Sequence, residues 1–122
     1  MENANALKLI KKIQSDLIAD GLVVENIVPD LQKLREFALL EEKPVLVKSI
    51  RLTYEHIQNN NAFLIAIPSD EAIEETEGVV AEIAAAQNDL ESLQYLLSLY
   101  KDINNKHNIE DLRDYNTRLQ AF

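Results

Sequence analysis

The chain contains no cysteine, and it has only two glycines and three prolines among 122 residues. Without cysteine it can form no disulfide, no thiolate metal site and no cysteine nucleophile. Glycine and proline supply many of the turns that an all-β chain needs, so their scarcity argues against that class. The abundant residues are instead alanine, leucine, glutamate, glutamine and lysine, which favour helices.

Long apolar runs are also missing. The longest purely apolar run covers residues 62–67 and is too short to cross a bilayer, and the N-terminal residues hold no apolar core of signal-peptide length. Apolar residues make up 47% of the chain and charged residues 27%, as is usual for a soluble globular protein. We therefore expect a single domain over residues 1–122, located in the cytoplasm and with no membrane partner.

Positive charge is absent from a long central stretch. No lysine or arginine occurs from Leu52 to Tyr100, which is 49 residues, whereas nine acids lie there. The net charge of −9 divides into −1 for residues 1–68 and −8 for residues 69–122. An acidic surface repels phosphate, so we expect no nucleic-acid partner. The acids either keep the protein dissolved or fit a basic protein partner.

The same stretch carries a regular apolar pattern. Its apolar residues recur at alternating spacings of four and three, which is the seam of a helix packed lengthwise on other helices. They are Val79, Ile83, Ala86, Leu90, Leu93, Leu97 and Tyr100. This pattern predicts a helix over residues 70–104, or two helices divided near residues 87–88. Because Leu90 and Leu93 lie in the middle of the seam, we expect both in the core.

Apolar stripes predict further helices on either side. The first runs from about residue 3 to residue 20, where Gly21 is expected to end it in the left-handed conformation. Its stripe is Ala6, Ile10, Ile13 and Leu17, widened by Leu9 and Ile18. Pro29 is expected to begin the second helix, Pro44 to interrupt it or start a third, and Asn108 to cap the last one. The terminal Phe122 is expected to pack against the rest of the chain.

The predicted fold is therefore all-α, an antiparallel bundle of four to five helices with one long helix in the C-terminal half. Residues 45–58 fit a helical stripe, but Ile50, Leu52 and Tyr54 also alternate with polar residues as a strand would. An α+β fold with a hairpin at about residues 45–67 is the alternative. Phe63 and Ile65 are expected to be extended and to close the core in either fold.

Two acidic groups are candidates for binding. Glu75, Glu82 and Asp89 recur every seven residues beside the seam, a position that pairs with bases of a neighbouring helix in coiled coils. This acid column either pairs within the chain, for example with Lys12, or docks a basic partner. A second cluster from Asp70 to Glu77 lacks the glycine and alternating acids of a calcium loop. We expect no metal and no cofactor.

The segment Arg51-Leu-Thr-Tyr-Glu-His56 resembles the arginine–histidine signature of the HEPN superfamily. That family consists of small helical proteins and includes metal-independent ribonucleases, often dimeric and paired with a nucleotidyltransferase. The resemblance implies that Arg51 and His56 would handle the scissile phosphate, with the histidine as acid or base. Leu52 stands where the family usually has a polar residue, and five residues turn a helix by about 140°, so the two side chains would diverge on one helix.

We expect a non-enzymatic helical protein that binds another protein or forms a homo-oligomer such as a dimer. One alternative is a HEPN-like ribonuclease or toxin–antitoxin component that uses Arg51 and His56. Another is an acidic inhibitor or immunity-type protein that presents the acid column to a basic partner.

Overall fold

A computed structural model describes residues 3–65 and 90–122. Within these ranges the chain forms five α-helices and no strand. They are α1 (Ala4–Asp20), α2 (Val24–Leu40), α3 (Pro44–Asn60), α4 (Leu90–Lys101) and α5 (Lys106–Ala121). The predicted all-α class is confirmed. The upstream part of the predicted helix over residues 70–104 lies outside the described residues, and its described part ends at Lys101.

The helices form a closed ring around one core. α1 packs on α2, α2 on α3, α3 on α5, α5 on α4, and α4 back on α1. Short connections join α1 to α2, α2 to α3 and α4 to α5, which makes these pairs antiparallel neighbours. Each helix therefore turns one apolar stripe inward and leaves an opposite face to solvent.

Helix α1 follows its predicted pattern closely. The Asn3 side chain caps it, accepting the backbone N–H of Asn5 at 2.8 Å and of Ala6 at 3.2 Å. The four-residue stripe is buried as predicted, but Ile18, expected to widen it, is 81% exposed. Gly21 ends the helix as predicted, but not in the left-handed helical conformation, because its φ of 74° is combined with an extended ψ of −161°; this conformation disfavours a side chain.

Helix α2 begins earlier than predicted. Pro29 was expected at its first position, but the helix starts at Val24 and contains Pro29. A proline inside a helix leaves the carbonyl four residues before it without its N–H partner. That carbonyl belongs to Glu25, and both residues are exposed, so water can take the place of the missing donor. The residues from Val24 to Val28, which precede Pro29, are thus part of the helix.

A tight turn separates α2 from α3. Glu42 adopts a left-handed φ of 56°, its N–H donates to the carbonyl of Leu39, and the N–H of Lys43 donates to that of Ala38. These two bonds satisfy the last carbonyls of α2 in the pattern called a Schellman motif, which usually has glycine where Glu42 stands. Pro44 then occupies the first turn of a new helix.

The helix over residues 45–58 is also confirmed, and the α+β alternative is wrong there. Asn61 lies in the left-handed conformation at the end of α3 and donates its N–H to the carbonyl of Ile57. The chain then leaves the helix, and Phe63 and Ile65 enter the core. The strand-like alternation of apolar and polar residues is not followed here. The polar residues Ser49 and Thr53 are instead fully buried on the same helix face as Ile50.

Helices α4 and α5 correct two details. Leu93 is fully buried, but Leu90 is only half-buried, at the start of the described part of α4. Burial extends beyond the predicted seam to Leu96 and Leu99 because α4 contacts helices on two sides. The cap of α5 is Asn105, which accepts the N–H of His107 at 2.9 Å. Asn108, predicted as the cap, instead donates its side-chain N–H to the carbonyl of Asp102.

Candidate functional site

Arg51, the first residue of the HEPN-like segment, lies on the outer part of α3. Its Nη1 atom is 3.2 Å from Oε1 of Glu55 and 3.4 Å from Oε2, one helical turn later. The side chains of both residues are about two-fifths exposed, at 41% and 44%. An ion pair of this kind contributes roughly 0–1 kcal/mol, and it directs the guanidinium along the helix surface.

His56, the last residue of that segment, points into the protein and is 6% exposed. Its Nε2 atom accepts the backbone N–H of Leu64 at 3.0 Å, so this nitrogen carries no proton. The rings of Phe63 and Phe122 meet the imidazole edge-on, with centroids 5.6 and 4.6 Å away. Burial lowers the pKa of His56 below its ordinary value of 6.5, which keeps the ring neutral.

The structure therefore does not direct Arg51 and His56 to one point. Both belong to the continuous helix α3, where five residues turn the chain by about 140°. The imidazole lone pair already serves the Leu64 amide. This arrangement fastens the segment after α3 to the helix, and it leaves His56 unavailable as an acid or base beside the Arg51 guanidinium.

Phe122, which is expected to pack against the rest of the chain, does so only in part. Its ring touches His56, yet 62% of the residue remains exposed. An open groove lies beside it, lined by Leu52, Glu55, His56, Asn59, Asn60, Leu119 and Phe122. The groove holds no cluster of charged side chains, because Glu55 is the only aspartate, glutamate, lysine or arginine among these residues and it is paired with Arg51.

A second groove, called here the basic groove, lies where α2 turns into α3. It has a volume of about 550 Å³, and it is lined by Leu39, Glu42, Lys43, Pro44, Val47, Lys48 and Arg51. Three of these residues are cationic and one is anionic, whereas the whole chain carries a net charge of −9. Its other three lining residues, Leu39, Pro44 and Val47, are apolar and are together called here the apolar floor. The basic groove is therefore a local reversal of the overall charge.

Two large apolar side chains stand exposed at this end of the molecule. Leu39 is 49% exposed and Leu40 is 78% exposed, at the last two positions of α2. Leu39 also lines the basic groove. Isolated exposed leucines are ordinary on protein surfaces, whereas these two are adjacent and lie beside the basic groove.

Sequence reasoning missed the basic groove, although a signal was present. Pro44, Val47, Lys48 and Arg51 follow the spacing of three and four that marks one face of a helix. This face lies opposite the buried stripe that contains Leu46 and Ile50. The cations are clustered only because the turn at Glu42 also brings the end of α2 to that face, which spacing along one helix does not reveal.

The acid column of Glu75, Glu82 and Asp89 lies outside the described residues, and the same holds for the acidic cluster over residues 70–77. Lys12, an expected internal partner of that column, joins α1 to α2 instead, with Nζ 3.0 Å from Asp16 and 2.8 Å from Asp30. Over residues 3–65 and 90–122, no group of three acidic, histidine or cysteine side chains is placed to hold a metal ion. None of the helices in those two ranges has the length and apolar character needed to cross a membrane.

No protein-family model, curated protein or solved structure matches this chain. A functional proposal consequently rests on the chemistry of its own side chains.

Proposed function

We propose that this chain is a non-enzymatic helical protein that acts by binding another protein through the surface formed at the α2–α3 turn. The observation that carries the proposal is the exposure of Leu39 and Leu40 beside the basic groove. Complete burial of an exposed leucine contributes roughly 1.5–3 kcal/mol, and a partner that covers Leu39 and Leu40 can recover the part of this that their exposure forgoes, which is larger at Leu40.

The placement of Arg51 and His56 supports a binding role over a ribonuclease role. A phosphoryl-cleaving site needs its cation and its proton donor or acceptor within reach of one phosphate. Here the cation pairs with Glu55 on the surface, and the buried imidazole accepts the Leu64 amide. Neither group is free for such chemistry in the described conformation.

The proposal is tested by site-specific photocrosslinking in cells that produce the chain. A photoreactive amino acid at position 40 should form a discrete adduct with a protein, and its mass tells whether the partner is another protein or a second copy. Gln32 is the matched control, because it is also exposed on α2 but lies away from the basic groove. Equal labelling at both positions, or none at position 40, would contradict the proposal.

Ribonuclease activity is measured separately, on the purified chain. The purified chain should leave RNA intact, and Arg51→Ala and His56→Ala should behave like the unaltered chain in this assay. Cleavage that is lost in either variant would establish the HEPN-like alternative instead.

A further inference from the structure

The basic groove is lined by apolar and cationic residues together. Leu39, Pro44 and Val47 form its apolar floor as defined above, and Lys43 and Lys48 belong to the same lining. Within the described part of the chain neither lysine forms an ion pair, and Lys48 is exposed. An occupant that satisfies both features must be apolar on one side and negatively charged at its margins.

From this composition we infer that the basic groove binds a short acidic, amphipathic helical segment of another protein. The inference rests on the proposed function and names its partner class. Amphipathic helices bind apolar grooves by inserting side chains spaced three and four residues apart, and flanking charges select the partner. Leucine-like side chains of the segment contact the floor, and its carboxylates face Lys43 and Lys48.

Charge complementarity favours this occupant over a second copy of the chain. Two whole copies would each carry a net charge of −9 and would repel one another during encounter. A short segment brings only a few carboxylates, which meet the local excess of cations at the basic groove. The long-range repulsion from the rest of the chain is correspondingly smaller.

The lining also favours a peptide over a nucleic acid. Single-stranded nucleic acids bind where bases can stack on aromatic side chains next to cations. The basic groove contains no aromatic residue, and its floor is formed by leucine, proline and valine. The apolar floor fits aliphatic side chains.

The inference is tested with the full chain and a fluorescent synthetic peptide in which leucine and glutamate alternate at helical spacing. Anisotropy should show saturable binding, and Lys48→Glu should weaken it by roughly tenfold. Lys33→Glu is the matched control, since it makes the same charge change on an exposed residue of α2 outside the basic groove, and it should have little effect. Circular dichroism verifies that both variants remain folded.

Two further peptides separate the contributions of charge and apolar contact. Replacing glutamate by lysine should abolish binding, and replacing leucine by serine should weaken it strongly. Equal binding of the serine peptide would reveal a general anion site and would overturn the inference. A single-stranded oligonucleotide that binds with the same dependence on Lys48 would also overturn it.

Sedimentation across a concentration series distinguishes the remaining occupants. Self-association that disappears in Lys48→Glu would identify a second copy as the occupant and contradict the inference. If the unaltered chain binds no peptide and Lys48→Glu has a lower melting temperature, the occupant of the basic groove is part of the chain itself. That result would also contradict the inference. If the crosslink from position 40 persists in Lys48→Glu while the peptide fails to bind, the proposed function stands and only this inference fails.

Discussion

The hydroxyl of Tyr100 in α4 lies 3.0 Å from the Oγ atom of Ser49 in α3, deep in the core. Thr53 offers a second oxygen to the same hydroxyl at 3.1 Å. All three residues are fully buried, so this hydrogen-bonded group joins α4 to a helix that is not its main packing neighbour. Burial raises the pKa of Tyr100 to about 12, and the bonds from Ser49 and Thr53 partly oppose that effect.

Tyr100→Phe should therefore destabilise the fold although it removes only one oxygen. Two hydroxyls would lose their shared partner inside the core, and an unsatisfied buried polar group costs about 1–3 kcal/mol. Denaturant unfolding measures the change. Tyr54 is half-buried, so Tyr54→Phe is the control, and it should lower the free energy of unfolding by less. Equal losses for the two variants would show that the hydroxyl network contributes nothing special.

The stability lost when a leucine of α4 is replaced by alanine should increase with the burial of that leucine. Leu93→Ala opens a cavity at a fully buried position and should cost on the order of 2–5 kcal/mol. Leu90→Ala should cost less, because Leu90 is half-buried and its site can fill with solvent. Unfolding free energies of the two variants check this order. A larger loss for Leu90→Ala would show that the seam upstream has more core character than α4.

The turn between α2 and α3 should be improved by glycine. Glu42 has a left-handed φ of 56°, which costs a side-chain-bearing residue roughly 1–2 kcal/mol, and glycine avoids that cost but adds freedom to the unfolded chain. Glu42→Gly should thus stabilise the protein by about 0.5–1 kcal/mol in thermal unfolding. Glu41, next to it, has a helical φ of −84°, so Glu41→Gly should destabilise. Stabilisation by both substitutions would indicate a general charge effect instead.

The stability of the fold should decrease as the solution becomes acidic, partly through His56. The native state holds this histidine neutral, with a pKa below 6.5, while the unfolded chain titrates near 6.5. Between these values the unfolded state binds more protons than the native state. The stability that neutral His56 contributes is therefore fully present above about pH 6.5, and it is lost as the pH falls towards the native pKa. Protonation would also place a hydrogen on Nε2 opposite the Leu64 N–H.

His56→Gln isolates this effect, because its amide oxygen can still accept a hydrogen bond. The stability advantage of the unaltered chain over His56→Gln should shrink as the pH falls through about 6.5 towards the lower native pKa of His56. A profile that is unaffected by His56→Gln would assign the acid sensitivity to the carboxylates alone.

The parts of the fold that follow from single-helix periodicity were predictable. The stripe of Ala6, Ile10, Ile13 and Leu17 depends only on which residues share a helix face, and the structure buries all four. The start of α2 was missed because Pro29 was interpreted as a first helical residue, whereas an exposed proline is tolerated further inside. The cap of α5 was misplaced because Asn105 and Asn108 have the same intrinsic preference.

The candidate site was less predictable, and for a different reason. Arg51 and His56 are close in sequence, so the pattern suggested a shared role, but helix geometry and burial give them separate partners. The basic groove depends on how the end of α2 meets α3 across the left-handed residue Glu42. Such a relation is tertiary, and neither helix displays it alone.

Whether Leu39 and Leu40 are exposed for a partner and not for the fold is decided by the crosslink from position 40 in a Leu39→Asp chain. Leu39 is half in solvent, so the substitution should leave the chain folded, with its unfolding free energy changed by less than about 1 kcal/mol. We expect the adduct to disappear in this folded variant. An adduct of undiminished yield would contradict it.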